Sequence, residues 1–583
     1  MRQLIIALFF ATLSSTAFAQ GNGWVAQSNA YTQRLLDVEF KHSPESGSQE
    51  GLSKFDEMIS DPSRADEIAA RKEFTAVLDD LKAQQAHESN NKVAEDLEIL
   101  HKAFDLRFRQ EDYSRRHLVP FTNASQDIFQ GLRVLLDDQV APARRPAALV
   151  RLRKYAGSEP GSKAYAELVK QRVLEQIAIT DAIYPSKDEI TTELGRNASY
   201  VDGIAELFKK YKLTGWEQTL AVLKGQLTDY DAWVKSAILP KARTDFRLPP
   251  EEYALNLESY GVDIPPEKLA AMAHAAFTRI QGEMAPIAAA VAKEKGFASS
   301  DYRSVIAELK KTQITGDAIL PFYKNRLHEI EKILVAKNLV TVPAREAIIR
   351  LASAAETAQQ PAPHMVAPPL LNNKGERGEF VLPLNMPAAS GGAGDKYDDF
   401  TFDAVAWTLT AHEARPGHEL QFDSMVEHGV SIARALYAFN STNVEGWGLY
   451  SEYIMQPYEP AEGQLLTLQQ RLMRAGRAFL DPELQSGKLN ELGTQEITAE
   501  GQRKQREMQR LQQDLQEEVE RERTEILQRA GTRMQEVVKK LADEKGLDLV
   551  VDSANTVFFK TSFEITTEAT AAYNKTYPAA AAK

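Results

Sequence analysis

A proline–glycine pair set between two histidines constrains this 583-residue chain more than any other feature. The segment HEARPGH places His412, Glu413 and His418 within seven positions, in a chain with ten histidines in all. Upstream, Phe402, Val405, Ala406, Leu409 and Glu413 follow helical spacing with Asp403 near the start, which predicts a buried helix carrying the His-Glu pair. On a regular helix of 3.6 residues per turn, side chains six apart diverge by roughly 240°. A straight helix therefore cannot turn both imidazoles toward one ion. Pro416 lacks an amide donor and clashes with the preceding turn, and Gly417 tolerates almost any backbone angle. A kink or widened turn there is predicted to return His418 to the face of His412.

A third partner is expected from a following helix, EGWGLYSEY, in which Glu445 stands 27 positions after His418. The intervening DSMVEHGVSIARALYAFN supplies the return pass, with Gly429 as its break. Imidazole and carboxylate are the side chains that hold zinc when a water must stay on the metal, and a second carboxylate beside them acts as a base. The competing reading is a helix end in which Glu413 pairs with Arg415 and the histidines are solvated or bonded in the core.

Residues from about 25 to 480 resemble the bacterial family called domain of unknown function 885, which carries H-E-x-x-P-G-H followed by E-G-W-x-L-Y. The resemblance implies an all-helical, zinc-dependent peptidase of the gluzincin kind, distantly like the angiotensin-converting-enzyme and thermostable-carboxypeptidase families. Carried over by position, His412, His418 and Glu445 would be Zn2+ ligands and Glu413 the base; Tyr450 is a candidate to replace an oxyanion donor expected in a later family segment that this chain lacks. Zinc held by two neutral imidazoles and one carboxylate keeps a net positive charge, and its water falls to a pKa of roughly 7.

The rest of the chain reads as address, scaffold and appendage. Residues 1–19 have a basic start at Arg2, an apolar run from Leu4 to Leu13 and a small end at Ala17-Phe18-Ala19, the pattern of a signal peptide cleaved after Ala19. There is no cysteine, hence no lipid-anchored thiol, disulfide or thiolate metal site. The reading is therefore a periplasmic protein without a membrane anchor. A net charge of −13 argues against nucleic acid as a partner. Residues 20–356 read as helical scaffold, with segments such as DEIAARKEFTAVLDDLKAQ and PEKLAAMAHAAFTRIQGEMAPIAAAVAKEKG spaced at 3, 4 and 7. Breakers at Gly157–Pro160, Pro249-Pro250 and Pro265-Pro266 separate them. Residues 357–490 add a Pro- and Gly-rich loop, a short strand from Glu379 to Leu384 suited to edge pairing with substrate, and the zinc-site helices. His364 and Asn385 are candidates for lining the cleft.

After a helix carrying Arg471, Arg474 and Arg477, the family resemblance stops near residues 484–490. Family members continue with a helical segment holding a Pro-Gly-Gln and a Tyr-Lys, which this chain lacks. Residues 491–583 instead predict a long helix with a coiled-coil seam (Met508, Leu511, Leu515, Val519, Ile526, Ala530, Met534, Val537, Leu541). Two strands, LDLVVD and TVFFK, are predicted around Ser553–Asn555, then a closing helix in ITTEATAAYNKTYP. That order resembles the C-terminal half of the Skp/OmpH periplasmic chaperones, whose family forms trimers that grip unfolded outer-membrane proteins. The expected fold is thus mainly α: a multi-helix peptidase-like domain, a coiled coil and a small cap. Two function classes follow: a periplasmic zinc metallopeptidase acting on peptides or unfolded proteins, or a non-catalytic chaperone that trimerises through its tail. A junction of two incomplete genes would account for that missing peptidase segment and for the chaperone family's first strand and outgoing arm, which are not evident before residue 493.

Overall fold

A computed structural model of the chain describes residues 23–179, 181–384, 398–489, 531–552, 558 and 560–577. The signal-peptide residues, Asn385 and the coiled-coil seam from Met508 to Ala530 lie outside them. The chain is mainly helical and divides into two units, Met1–Ser486 and Gly487–Lys583.

Among the described residues the first unit has three large apolar cores and two small ones. Helices α1 (Gly23–His42), α2 (Arg64–Gln85) and α3 (Asn91–His117) form the first. Phe74, Leu78 and Leu81 of α2 meet Val93, Leu97, Leu100 and Phe104 of α3 and Leu35 and Val38 of α1, each set at helical spacing. Ser63 and Asn90 cap α2 and α3 by accepting the backbone N–H groups of Asp66 and Lys92. The second core gathers α4 (Ala124–Arg133), α5 (Ala147–Tyr155), α6 (Tyr165–Ile177), α7 (Lys187–Lys210) and α8 (Glu217–Trp233). The breakers read from the sequence stand between helices: Gly157 is left-handed at φ +66°, and Pro250 and Pro266 open the helices they precede.

The third core positions the site. Here α9 (Pro266–Lys295) lies along α14 (Ala461–Gln485), and between them and α10 (Ile319–Ala336) sits α11 (Asp403–Leu409). The later site helices are α12 (His418–His428) and α13 (Ser441–Met455). Arg326 of α10 pins the start of α11, pairing with Asp403 at 2.5 Å and stacking 3.9 Å over the Trp407 ring.

A three-stranded sheet completes this core: β1 (Ile348–Leu351), β2 (His364–Val366) and β3 (Glu379–Leu382), in the order β1-β3-β2. β3 runs parallel to β1 and antiparallel to β2. The strand expected from Glu379 to Leu384 is therefore two residues shorter and central. Both its edges are already paired, so it cannot pair with a substrate backbone. All four of its residues are buried, which its run of Phe380, Val381 and Leu382 explains.

In the second unit, residues 531–545 are helical and α15 (Thr566–Thr576) follows. Val537 and Ala569 are buried, and the Tyr577 hydroxyl reaches Glu536 at 3.0 Å. Met534, Val537 and Leu541 form the covered face of the first helix, as the seam predicts. Residues 547–552, where a strand is expected in LDLVVD, are not in a strand, and Leu549 and Val551 are exposed. An alternating pattern makes a strand only where another backbone lies beside it. Part of TVFFK falls outside the described residues.

Candidate metal centre

The bend at Pro416-Gly417 is a break, not a kink. α11 runs into a single widened π turn, Thr410–Ala414, which carries His412 and Glu413. Arg415 is then extended (φ −123°, ψ 134°), the Arg415–Pro416 bond is cis, and α12 restarts at His418. Gly417 passes so close to the π turn that a Cβ would stand 1.7 Å from the His412 carbonyl oxygen. Only glycine fits. The Pro416 carbonyl at the break is satisfied from α13, by Trp447 Nε1 at 3.0 Å and Ser451 Oγ at 3.2 Å; Trp447 Nε1 also reaches Gly417 O at 3.1 Å, which already accepts the Gln421 N–H of α12.

A buried ionic cluster locks the restarted helix. Arg415 donates to Glu419 at 2.8 and 3.0 Å, to Glu331 at 2.5 Å and to the Arg345 carbonyl at 2.9 Å. Arg345 pairs with Glu419 and Glu427, and with Asp423 at 2.8 Å. Arg415 thus pairs with Glu419 and Glu331, while His412 and His418 are both buried. The fold builds neither a Glu413–Arg415 pair nor solvated histidines; the other form of that alternative, histidines bonded in the core, agrees with their burial and their bonds to Glu452 and Gln421.

Through this break the two imidazoles meet edge to face, with ring centroids 4.7 Å apart. Glu445 of α13 stands over both, its carboxylate 3.3 Å from His412 Nε2 and 3.9 Å from His418 Nε2. One donor atom from each of the three lies within 4.8 Å of the others. Each imidazole is held by its far nitrogen. His412 Nδ1 meets Glu452 Oε1 at 2.8 Å, and His418 Nδ1 meets Gln421 Oε1 at 3.2 Å. Behind Glu452, Arg474 Nη1 lies 2.9 and 3.0 Å from its two oxygens. Gly448 makes room for this arrangement, since a Cβ there would fall 2.5 Å from His412 Cε1.

A tetrahedral zinc ion, with bonds of about 2.0–2.2 Å, would call for neighbouring donors about 3.4 Å apart; Glu445 stands 3.3 and 3.9 Å from the two Nε2 atoms, and the three donors lie within 4.8 Å of one another. Imidazoles pinned at Nδ1 by a carboxylate and an amide, with Nε2 left toward a third donor, are the orientation such an ion requires. The charges agree. Burial alone would lower His412, but its hydrogen bonds with Glu445 and Glu452 outweigh that and raise its pKa to about 9. Burial and the neighbouring His412 charge lower His418, and the hydrogen bond with His412 lowers Glu445. Glu413, enclosed beside them, is pushed up to about 7, by burial above all. A cation in the middle would compete with a proton on His412, which the two carboxylates favour.

The other expected residues lie apart from this group. Tyr450 faces solvent, its ring tilted against Trp447 at 6.0 Å and stacked on Tyr453 at 6.3 Å, and makes no hydrogen bond or ring contact with the three donors among the described residues. His364 lies on β2, against the π turn's side of the sheet, with Nδ1 2.9 Å from the Ala362 carbonyl. Sequence reasoning missed Glu452 and Gln421. A signal for the first exists: Glu452 follows Glu445 by seven, two helical turns along the same face.

The sequence pattern of the bacterial proteins of unknown function called DUF885 matches residues 44–510. The chain belongs to that family. An outer membrane protein (OmpH-like) pattern matches residues 451–573 and overlaps its end. Among solved structures, a candidate lipoprotein of unknown function from Shewanella oneidensis is similar at 18% identity and a TM-score of 0.56, over 79% of this chain and 83% of that one. A candidate lipoprotein from Colwellia psychrerythraea is similar at 16% identity and a TM-score of 0.59, over 80% and 84%. These likenesses establish a shared fold. No curated protein matches the chain.

Gly448→Ala should force His412 off its position. The expected outcome is a loss of about 1–3 kcal/mol in urea unfolding, the usual cost of overpacking. Metal affinity should fall about 10- to 100-fold in a chelator competition, as when an orienting contact to a ligand is disturbed. Unchanged affinity would contradict the close approach described above.

Proposed function

We propose that the DUF885 unit is a zinc-dependent peptidase in which His412, His418 and Glu445 hold the metal and Glu413 moves the proton. One observation carries the reading: three donors from three separate pieces of backbone converge within 4.8 Å, each imidazole oriented from behind. Zinc in such a site supplies Lewis acidity and lowers the pKa of a water it holds to about 7. The chain's own residues do the rest. Glu452 and Gln421 keep Nε2 of each imidazole free for coordination. Glu413, with a carboxyl pushed to about 7, accepts a proton from the attacking water at neutral pH and returns it to the departing amine nitrogen. Tyr450, exposed and away from the donors, is given no step.

A place in the cell envelope is proposed with it. The OmpH-like match, the lipoprotein descriptions of the similar structures and the leader-like residues 1–19 support it. No helix among the described residues is long and apolar enough to cross a membrane.

Elemental analysis of the purified full chain should find about one zinc per chain, lost in His412→Ala. Glu413→Gln should keep the zinc and lower peptide hydrolysis about 10²- to 10⁴-fold, the usual contribution of a general base. A chain that cannot be loaded with zinc would end the hydrolase reading.

The OmpH-like match favours a second role for residues 487–583, binding unfolded outer-membrane proteins. The full chain should then keep a denatured β-barrel protein from aggregating in light scattering, and a chain ended at Ser486 should not. Equal protection by both would remove the tail from the account.

A further inference from the structure

One side of α10 borders two adjoining cavities of about 280 and 550 Å³. His328, Glu331 and Val342 line both, so they form one groove with two ends. Helical spacing explains its floor. Lys324, His328, Glu331 and Val335 recur at steps of 4, 3 and 4 and so share one side of the helix.

The two ends differ in chemistry. Four cationic side chains, Lys324, Arg345, Arg377 and Arg415, and two carboxylates, Glu331 and Glu346, line the smaller end. Of the carboxylates, Glu331 is bonded to Arg415 and Glu346 is exposed. Arg345 serves Glu419, Asp423 and Glu427, none of which lines the cavity, and its Nη2 is buried without a hydrogen-bond partner. Lys324 and Arg377 have no carboxylate partner among the described residues, and the Arg377 guanidinium donates to a neutral acceptor, the Glu346 carbonyl. Two unneutralised cations stand here against one unpaired carboxylate, and a buried donor lacks an acceptor. In a chain of net charge −13, that is a local reversal of sign, suited to an anion of single charge.

The larger end is apolar. Val335, Ala336 and Val342 line it, and Val335 is 65% exposed. Lys332 borders it too, a side chain whose stem is itself apolar. An apolar recess continuous with a cationic one fits a molecule with an anionic head and a hydrocarbon tail. The single charge to be met at the smaller end matches a carboxylate better than a phosphate monoester, which carries about −1.5 to −2 at neutral pH.

We propose that this groove binds a single-chain fatty acid, with its carboxylate among Lys324, Arg345 and Arg377 and its alkyl chain along Val342 and Val335. The inference goes beyond the hydrolase reading and does not rest on it.

The test is calorimetry on the full chain with decanoate, decanol, acetate, decyl phosphate and decyltrimethylammonium, each kept below its micelle-forming concentration. Decanoate should bind at least about 10-fold more tightly than decanol, as charged hydrogen bonds require, and more tightly than acetate, which lacks the tail. Lys324→Gln combined with Arg377→Gln should bring the decanoate-to-decanol ratio to about one. Lys324→Gln alone, at an exposed side chain without an ion pair, should lower that ratio severalfold and guards against a double variant that fails to fold. Val335→Asp should weaken decanoate about 10-fold by placing a charge where the tail lies. Equal binding of decanoate and decanol, or a ratio untouched by the lysine and arginine changes, overturns the proposal. So does decanoate affinity unchanged by Val335→Asp, or tighter binding of decyltrimethylammonium. Decyl phosphate binding more tightly than decanoate would assign the groove to a phosphate-headed lipid and overturn the fatty-acid assignment.

Discussion

Everything at the centre depends on a helix that stops and starts again within three residues. Two imidazoles six positions apart cannot share an ion on one continuous helix. Interrupting it at Arg415–Gly417 exposes backbone carbonyls to an apolar interior, where each unpaired group costs about 1–3 kcal/mol. The fold meets that cost at Pro416 from the neighbouring helix, with Trp447 and Ser451 donating to its carbonyl. The residues that brace the break and the glutamate that joins the histidines are therefore neighbours on one helix. This gives E-G-W-x-L-Y-S a physical unity that its spelling alone does not reveal.

Charge is arranged around the break in two opposed groups. On one side, Arg415 and Arg345 bind Glu419, Asp423, Glu427 and Glu331 and hold the start of α12 in place. Breaking one partner of such a buried set typically costs about 3–5 kcal/mol, because the remaining charge is stranded. Asp423 illustrates the crowding: burial and the adjoining Glu419 push its pKa up to about 6. On the other side, His412, Glu452 and Arg474 form a row that alternates in sign and ends at the surface. The first group is scaffold. The second runs from the interior to a partly exposed arginine.

Much of this was legible in the sequence, for reasons that can be stated. Apolar spacing and Pro or Gly breakers mark helices such as Arg64–Gln85 and Pro266–Lys295 because both signals are local. The histidine–proline–glycine–histidine spacing forces a break, and the structure brings His412, His418 and Glu445 to one point. What stayed hidden depends on distant partners. Arg345 and Glu419 are 74 positions apart, and nothing in either's neighbourhood announces the pair. The central place of Glu379–Leu382 is likewise decided by strands before it in the chain, so a suitable pattern could not tell an edge from a middle. Tyr450 shares a helix with Glu445 but not its face, and five residues of helical rotation turn it outward.

The claim that most needs direct support is that two imidazoles and one carboxylate share a single zinc ion. X-ray absorption at the zinc edge, on the purified full chain loaded with the metal, reads that shell without any assay of activity. The account predicts two imidazole nitrogens at about 2.0–2.1 Å and a carboxylate oxygen at about 2.0–2.2 Å. A spectrum without imidazole scattering, or with a six-oxygen shell of loosely held surface ion, would contradict it.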